Sequence, residues 1–226
     1  MELASVVPWG RNLAEYQAMF NLSAADLQKT ILGCGDGPAS FNGEMAQQGR
    51  RVISVDPIYA FSAHQIQQRV EGVYDTVIAQ VKAQSKRFVW RNFADADDLG
   101  RARWQTMTAF LDDYDRGKAD GRYQAQSLPV LDFSDQEFEL CLCSHLLFLY
   151  SEKLSAAFHW ASLRELLRVA AEVRVFPLLT LAGDRSPHLD PLLSKLHGAG
   201  HRARIHTVDY EFQRGGNEML VITGGA

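Results

Sequence analysis

The chain has 226 residues, 46% hydrophobic side chains and a formal net charge of −4. This composition supplies a buried core, and the length fits one large α/β domain or two small ones. A weak negative charge with scattered arginines argues against a surface built for nucleic acid or anionic membrane. No apolar run reaches the roughly 18 residues of a membrane-spanning helix, and the first residues lack the pattern of a signal peptide.

The cysteines are Cys34, Cys141 and Cys143, an odd number that argues against a disulfide framework. Cys141 and Cys143 share one face of a predicted strand, but no group of histidines or cysteines completes a metal site. The acidic run at 112–115 is better explained as a solvated helix end. We therefore expect buried thiols, no bound metal and a cytoplasmic protein.

Residues 1–29 predict an N-terminal helical cap that precedes the first strand. Apolar side chains recur at helical spacing over residues 11–20, and Ser23 suits the N-cap of a short second helix. The apolar face of the first helix consists of Leu13, Tyr16, Met19 and Phe20. Such a cap either closes over a ligand or only packs, and the sequence leaves both possibilities open.

The stretch from Thr30 to Tyr59 predicts a strand, a glycine-rich turn, a helix and a second strand that ends in an acid. Gly33, Gly35 and Gly37 tolerate positive φ and let the backbone approach a ligand. The helix that follows offers free N–H groups. Asp56 ends the β-branched strand, where a carboxylate can accept both hydroxyls of a ribose. This order predicts an adenosine site.

Two classes of cofactor use such a site. A dinucleotide fingerprint reads G-x-G-x-x-G, whereas this turn reads G-x-G-x-G, with Pro38 where the third glycine would stand. Asp36 would repel a pyrophosphate at the helix N-terminus. S-adenosylmethionine (SAM) has no phosphate and carries a sulfonium, an ammonium and a carboxylate. The residues therefore favour SAM, and a glycine turn without a ligand remains the alternative.

Residues 61–118 predict a helical insertion, since this block is longer than one crossover needs. Insertions of this kind usually shape a substrate pocket. The first helix of the block is indicated by Ile66, Val70, Val73, Val77 and Val81, which recur at spacings of three and four.

The second half of the sequence predicts the remaining strands and helices of the sheet. Ser151 is the expected cap of a helix, and two glycines in the link at 214–217 predict a β-hairpin. The expected elements are strands at 122–126, 138–143, 172–176, 203–212 and 218–223, and helices after Ser151 and at 188–200.

The chain resembles the class I SAM-dependent methyltransferases from about residue 27 to its end. The glycine turn with Asp56 resembles their motif I. The run L-P-V-L-D-F-S-D-Q-E-F-E-L resembles their second signature, with Glu139 replacing an aspartate. The stretches P-W-G-R and D-P-I-Y suggest an uncharacterised bacterial subgroup. The resemblance implies one domain, 1–226, with a Rossmann-like, seven-stranded, mostly parallel sheet that ends in an antiparallel hairpin.

The resemblance also implies SAM as cofactor and a set of binding residues. Asp36 would repel the SAM carboxylate, so a cation or donor from outside the sheet is needed, and Arg11 and Tyr16 of the cap are the candidates. The alternative is that Arg11 only solvates or caps the start of the helix. The expected cofactor-binding residues are Gly33, Cys34, Gly35, Gly37, Asp56, Pro57, Ser127, Leu128, Ser144, Arg11 and Tyr16.

His145 and Tyr150 follow the fourth strand, where ligands of open α/β sheets bind. His145 is a candidate general base, although it could equally pack beside the cofactor, and Tyr150 could orient an acceptor. The motifs for amino methylation of bases or for a cytosine nucleophile are absent. We expect a small-molecule acceptor, with nucleic acid and membrane unlikely partners. A protein or RNA methyltransferase, a non-catalytic SAM-binding subunit and a nicotinamide oxidoreductase remain alternatives.

Overall fold

A computed structural model describes residues 9–224, so residues 1–8 of the expected cap lie outside the described residues. The helices are α1 Leu13–Phe20, α2 Phe41–Gln47, α3 Ala63–Ala83, α4 Ala96–Ala119, α5 Ala156–Val169 and α6 Leu189–Gly198. The strands are β1 Ile31–Cys34, β2 Val52–Val55, β3 Tyr123–Gln124, β4 Phe138–Ser144, β5 Ala170–Phe176, β6 Arg202–Thr207 and β7 Glu218–Thr223. No helix within these residues is long and apolar enough to cross a membrane.

The seven strands form one sheet in the order β3-β2-β1-β4-β5-β7-β6. Strands β1 to β5 pair in parallel, and β7 is antiparallel to both β5 and β6. The Rossmann-like sheet with a terminal antiparallel hairpin is therefore confirmed. Because its central strands are covered on both faces, they are nearly continuous apolar runs; all four residues of β1 are buried.

The largest differences from the predicted element boundaries concern α5 and the link between β6 and β7. Helix α5 begins after Ser155, whose side chain accepts a hydrogen bond from the Phe158 N–H. Ser151 is not the N-cap of α5, and its hydroxyl donates a 2.7 Å hydrogen bond to the Phe148 carbonyl oxygen. The link between β6 and β7 spans residues 208–217, and not only 214–217. Alternating burial at Val208, Tyr210 and Phe212 resembles a strand, but these side chains belong to a loop that packs back onto the core.

Asp113 also differs from the expected solvated helix end. Its carboxylate is buried and accepts two hydrogen bonds of 2.8 Å from the Arg122 guanidinium. The Tyr123 hydroxyl donates a third at 3.1 Å. Because burial disfavours the charge while Arg122 and Arg116 stabilise it, the net effect is a lowered pKa for Asp113. This carboxylate fixes the end of α4 to β3.

The N-terminal cap, the helical insertion and the loop between β6 and β7 meet at one buried ion pair. Arg103 of α4 is 1% exposed. Each of its two terminal nitrogens donates a 2.6 Å hydrogen bond to one carboxylate oxygen of Glu15 in α1. The Tyr210 hydroxyl, from the loop between β6 and β7, donates to the same carboxylate at 3.0 Å. Glu15 also receives the Asn12 N–H at 3.2 Å in the capping box of α1. One carboxylate thus connects the cap, the insertion and the hairpin loop.

Replacing Glu15 with Gln is expected to destabilise the protein by about 3–5 kcal/mol, because the Arg103 charge would stay buried without a counter-ion. Equilibrium unfolding in urea measures this loss. Arg101→Ala is the matched control on the same helix, where an exposed guanidinium pairs with Asp98 and a loss of at most about 1 kcal/mol is expected. Equal losses in the two variants would contradict a special role for this buried pair.

Candidate functional site

A cavity of about 820 Å³ opens at the carboxyl ends of β1, β2 and β4. It falls within the roughly 300–1,000 Å³ of ligand pockets. The structure brings the predicted site residues to its wall, except Gly33 and Tyr16. Those that line it are Arg11, Cys34, Gly35, Gly37, Asp56, Pro57, Ser127, Leu128, Ser144, His145 and Tyr150.

The glycine turn after β1 has the backbone that its sequence predicts. Gly35 and Gly37 have φ of 72° and 55°, a region that costs other residues strain. No atom lies within 4 Å of the position that a Gly37 Cβ would occupy, so the turn is open to a ligand there. Gly33 has a different role, because a Cβ on it would lie 1.9 Å from the Asp36 carboxylate. Gly33 therefore leaves room for the Asp36 side chain.

Asp36 lies at the cavity wall with its carboxylate held from behind. Tyr16 and Ser54 donate to its two oxygens, each at 2.6 Å, and Asn42 donates 3.0 Å to the Ser54 hydroxyl. Burial, helped by the nearby charge of Asp56, raises the pKa of Asp36 to about 6, against the two hydroxyl donors. Tyr16 thus lies behind the cavity and orients Asp36. At pH 7 the wall carries a buried negative charge.

Asp56 ends β2 with extended backbone and directs its carboxylate to the glycine turn. Its oxygens accept hydrogen bonds from the N–H groups of Gly37 at 3.0 Å and Ile58 at 2.9 Å. Burial raises the pKa of Asp56, although these two N–H donors partly oppose it. Carboxylate oxygens have further lone pairs, so this acid can also accept hydroxyl groups from a ligand in the cavity.

Arg11 brings a positive charge from the cap to the same cavity. One terminal nitrogen donates 2.6 Å to the Trp9 carbonyl oxygen, and Nε has no hydrogen-bond partner among residues 9–224. Burial and then the neighbouring Arg103 lower the pKa of Arg11. Within the described part of the chain it forms no ion pair, because Glu15 is bound by Arg103. A partly buried cation that shares Glu15 with Arg103, and has no ion pair of its own, is suited to an anionic ligand group.

The backbone places Arg11 through a close approach of the cap to the glycine turn. A Cβ on Gly10 would lie 1.9 Å from the Pro38 carbonyl oxygen, so only glycine fits at this contact. The Leu13 N–H at the start of α1 donates 3.1 Å to Glu44 of α2. These contacts hold the start of the cap on the first crossover helix.

His145 follows β4 in a left-handed conformation with φ of 51°. Its N–H donates 2.7 Å to the Phe176 carbonyl oxygen, and its Nδ1 lies 3.0 Å from the Ser144 hydroxyl. Burial, followed by the charges of Arg11 and Arg103, lowers the pKa of His145 well below its usual range. The imidazole is therefore neutral at pH 7 and can accept a hydrogen bond, while burial and the two cations disfavour its protonated form. Tyr150, also buried, lines the cavity nearby.

The roof and far end of the cavity come from residues that the sequence did not identify. They include the α3 residues Val73, Val77 and Val81, and Tyr210 and Phe212 of the hairpin loop. The helical spacing in α3 was visible, but nothing in it distinguished a cavity wall from a packed core.

The comparison with curated proteins identifies a relative along nearly the whole chain. The uncharacterised protein MJ0045 of Methanocaldococcus jannaschii is 34% identical over 223 residues, which cover 98% of both chains. The chain belongs to the family of MJ0045. No protein-family model matches it. This archaeal relative does not test the expected bacterial subgroup, which stays a prediction.

Solved structures are similar to this chain in fold. The methyltransferase domain of bacterial CtHen1 matches with a TM-score of 0.50 and 13% identity over 92% of this chain and 99% of that one. A Burkholderia thailandensis 1,6-didemethyltoxoflavin N1-methyltransferase, solved with S-adenosylhomocysteine (SAH), has a TM-score of 0.48 and 12% identity, covering 95% and 80%. The Synechocystis PCC 6803 magnesium protoporphyrin IX methyltransferase, solved with SAM, has a TM-score of 0.45 and 12% identity. The match covers 89% of this chain and 73% of that one. At 13% identity the CtHen1 match shows the fold alone.

Proposed function

We propose that this chain is a SAM-dependent methyltransferase that acts on a small molecule. The observation that carries the proposal is the single cavity, which joins the glycine turn, Asp56 and the residues after β4 under the roof of α3. Its partly enclosed, largely apolar form suits a small acceptor. The fold shared with a methyltransferase domain supports this function.

The residues of the nucleotide end fit SAM. Asp56 would hold the ribose hydroxyls, and the space at Gly37 lets the cofactor approach the backbone. The amino-acid end of SAM carries an ammonium and a carboxylate, and the same wall carries the anionic Asp36 and the unpaired Arg11. We assign the ammonium to Asp36 and the carboxylate to Arg11. Cys34, Gly35, Pro57, Ser127, Leu128 and Ser144 complete the proposed cofactor wall.

The chemistry proposed for the protein is alignment and removal of a proton. Bound SAM supplies an electrophilic methyl group on its sulfonium. A neutral His145 can accept a proton from a hydroxyl or amino acceptor, with Ser144 holding the imidazole at Nδ1. Tyr150 would orient the acceptor. The apolar walls would keep water away from the methyl group and the acceptor.

The remaining proposals concern organisation and location. We propose that residues 1–226 act as one domain, in which the cap at 1–29 and the insertion at 61–118 cover the sheet; the ion pair between Glu15 and Arg103 supports this. The three cysteines are free and buried. Free thiols suit a reducing compartment, so we also propose a cytoplasmic location.

The cofactor proposal predicts that SAH raises the melting temperature and that NAD does not. Ligand at a hundred times its dissociation constant stabilises by about 2.7 kcal/mol, or roughly 5–10 °C for a chain of this size. Differential scanning fluorimetry measures it. Asp56→Ala should reduce the SAH shift, while Asp75→Ala, at an exposed position of α3, should not. A shift with NAD alone would contradict the proposal.

The Arg11 assignment predicts that Arg11→Ala weakens SAM binding by roughly 10- to 150-fold, because one charge-assisted hydrogen bond is lost. Adenosine lacks the carboxylate, so its affinity should change less than about twofold. Calorimetric titration of both ligands measures this, with Arg51→Ala at an exposed position as the control. Equal losses for SAM and adenosine would show that Arg11 does not bind the methionine end.

The His145 assignment predicts a loss of turnover of roughly 10²- to 10⁴-fold in His145→Asn, with SAM affinity nearly unchanged. Asparagine is chosen because it tolerates the positive φ of this position. Formation of SAH in a small-molecule cell extract measures turnover, and exposed His64→Asn is the control. If SAM affinity falls as much as turnover, His145 instead packs against the cofactor.

A further inference from the structure

The cavity continues past the cofactor wall towards β5 and β7. The cofactor wall lies over β2, β1 and β4, whereas the continuation is bounded by the second half of α3, the segment after it, the loop after β5 and the hairpin loop. We call this part the acceptor chamber. Its defining residues are Val77, Val81, Phe88, Leu181 and Phe212. It is separate from the residues proposed to bind the cofactor.

The polar side chains around the acceptor chamber are engaged with the protein itself. Gln84 accepts a 2.6 Å hydrogen bond from Arg87. Arg87 also donates a 3.0 Å hydrogen bond to the Leu181 carbonyl oxygen. Gln213 donates 3.0 Å to the Thr180 carbonyl oxygen. A sugar-like ligand would lose its water here and gain few partners in return, which costs free energy for every buried polar group. The acceptor chamber therefore favours an apolar body.

The far wall of the acceptor chamber is aromatic and held by backbone hydrogen bonds. The rings of Phe88 and Phe212 stack with centroids 4.7 Å apart and planes 16° apart. The Val89 N–H donates 2.8 Å to the Phe212 carbonyl oxygen, and the Arg214 N–H donates 2.9 Å to that of Arg87. The insertion and the hairpin loop thus form one wall. Planar aromatic ligands pack well against such a surface.

A polar group lies where the acceptor chamber meets the cofactor wall. His145 lines the cavity there, with its ring edge against Phe176 at a centroid distance of 5.6 Å. We propose that the acceptor is a small planar aromatic molecule with a single phenolic hydroxyl, whose ring occupies the acceptor chamber and whose hydroxyl faces His145. This assignment rests on the proposed methyltransferase function and adds the class of acceptor.

The test uses the full chain saturated with SAH and two ring-shaped probes, 2-naphthol and myo-inositol. Calorimetric titration should give a dissociation constant for 2-naphthol of roughly 10–1,000 µM, as expected for a ligand of its size. No binding of myo-inositol is expected up to about 10 mM. Equal affinity for the two probes, or binding of myo-inositol alone, would overturn the proposal.

Variants of α3 locate the bound probe. Val77→Phe fills the acceptor chamber and should weaken 2-naphthol at least tenfold, while SAH affinity changes less than about twofold. Ala79→Phe adds the same ring at an exposed position two residues away and should change neither affinity. Equal weakening or no weakening in both variants would place 2-naphthol elsewhere and overturn the proposal. If Val77→Phe does not fold, Val81→Phe on the same wall replaces it.

The two proposals fail in different ways. If SAH binds and 2-naphthol does not, the acceptor class is wrong and the cofactor proposal stands. If SAH does not bind, the methyltransferase proposal fails, and titration of 2-naphthol into the protein without SAH still decides whether the acceptor chamber binds a planar aromatic molecule.

Discussion

The buried ion pair between Arg103 and Glu15 is the interaction on which the cavity depends. The sheet by itself supplies only an open edge at the carboxyl ends of its strands. The cap, the insertion and the hairpin loop convert this edge into an enclosed space, and all three contribute a group to the same pair. A buried ion pair adds little net stability compared with apolar packing. Its value here is that it fixes the relative positions of three segments that are distant in sequence.

This pair also determines the charge of the cavity. Glu15 forms its ion pair with Arg103, and its charge also acts on the neighbouring Arg11, so two guanidiniums share one carboxylate. Arg11 thereby has no ion pair of its own in the described residues, and it lines the same cavity as Asp36 and Asp56. The cavity thus holds a cation, Arg11, and an acid, Asp36. A ligand that is a zwitterion at one end satisfies both, whereas a pyrophosphate would meet the unfavourable Asp36.

The position of Asp36 in the glycine turn depends on local packing as much as on electrostatic interactions. Gly33 provides the space for the carboxylate of Asp36, and Tyr16 and Ser54 hold its two oxygens. Tyr16 comes from the cap and Ser54 from β2. Both donors favour ionisation, but burial still raises the pKa of Asp36 to about 6. The Asp36 charge is therefore held in place before any ligand binds.

The sequence by itself determined the sheet, its terminal hairpin and the glycine turn that faces Asp56. These features rest on local signals: glycines at a turn, an acid after a β-branched run and apolar spacing within single elements. Only the tertiary structure decided which groups remain unpaired and where the cavity extends. Arg11 and Arg103 look equivalent in the sequence, but in the fold Arg103 forms the ion pair with Glu15. Val77 and Phe212 read as core positions, and burial against a cavity produces the same apolar pattern as burial in a packed core.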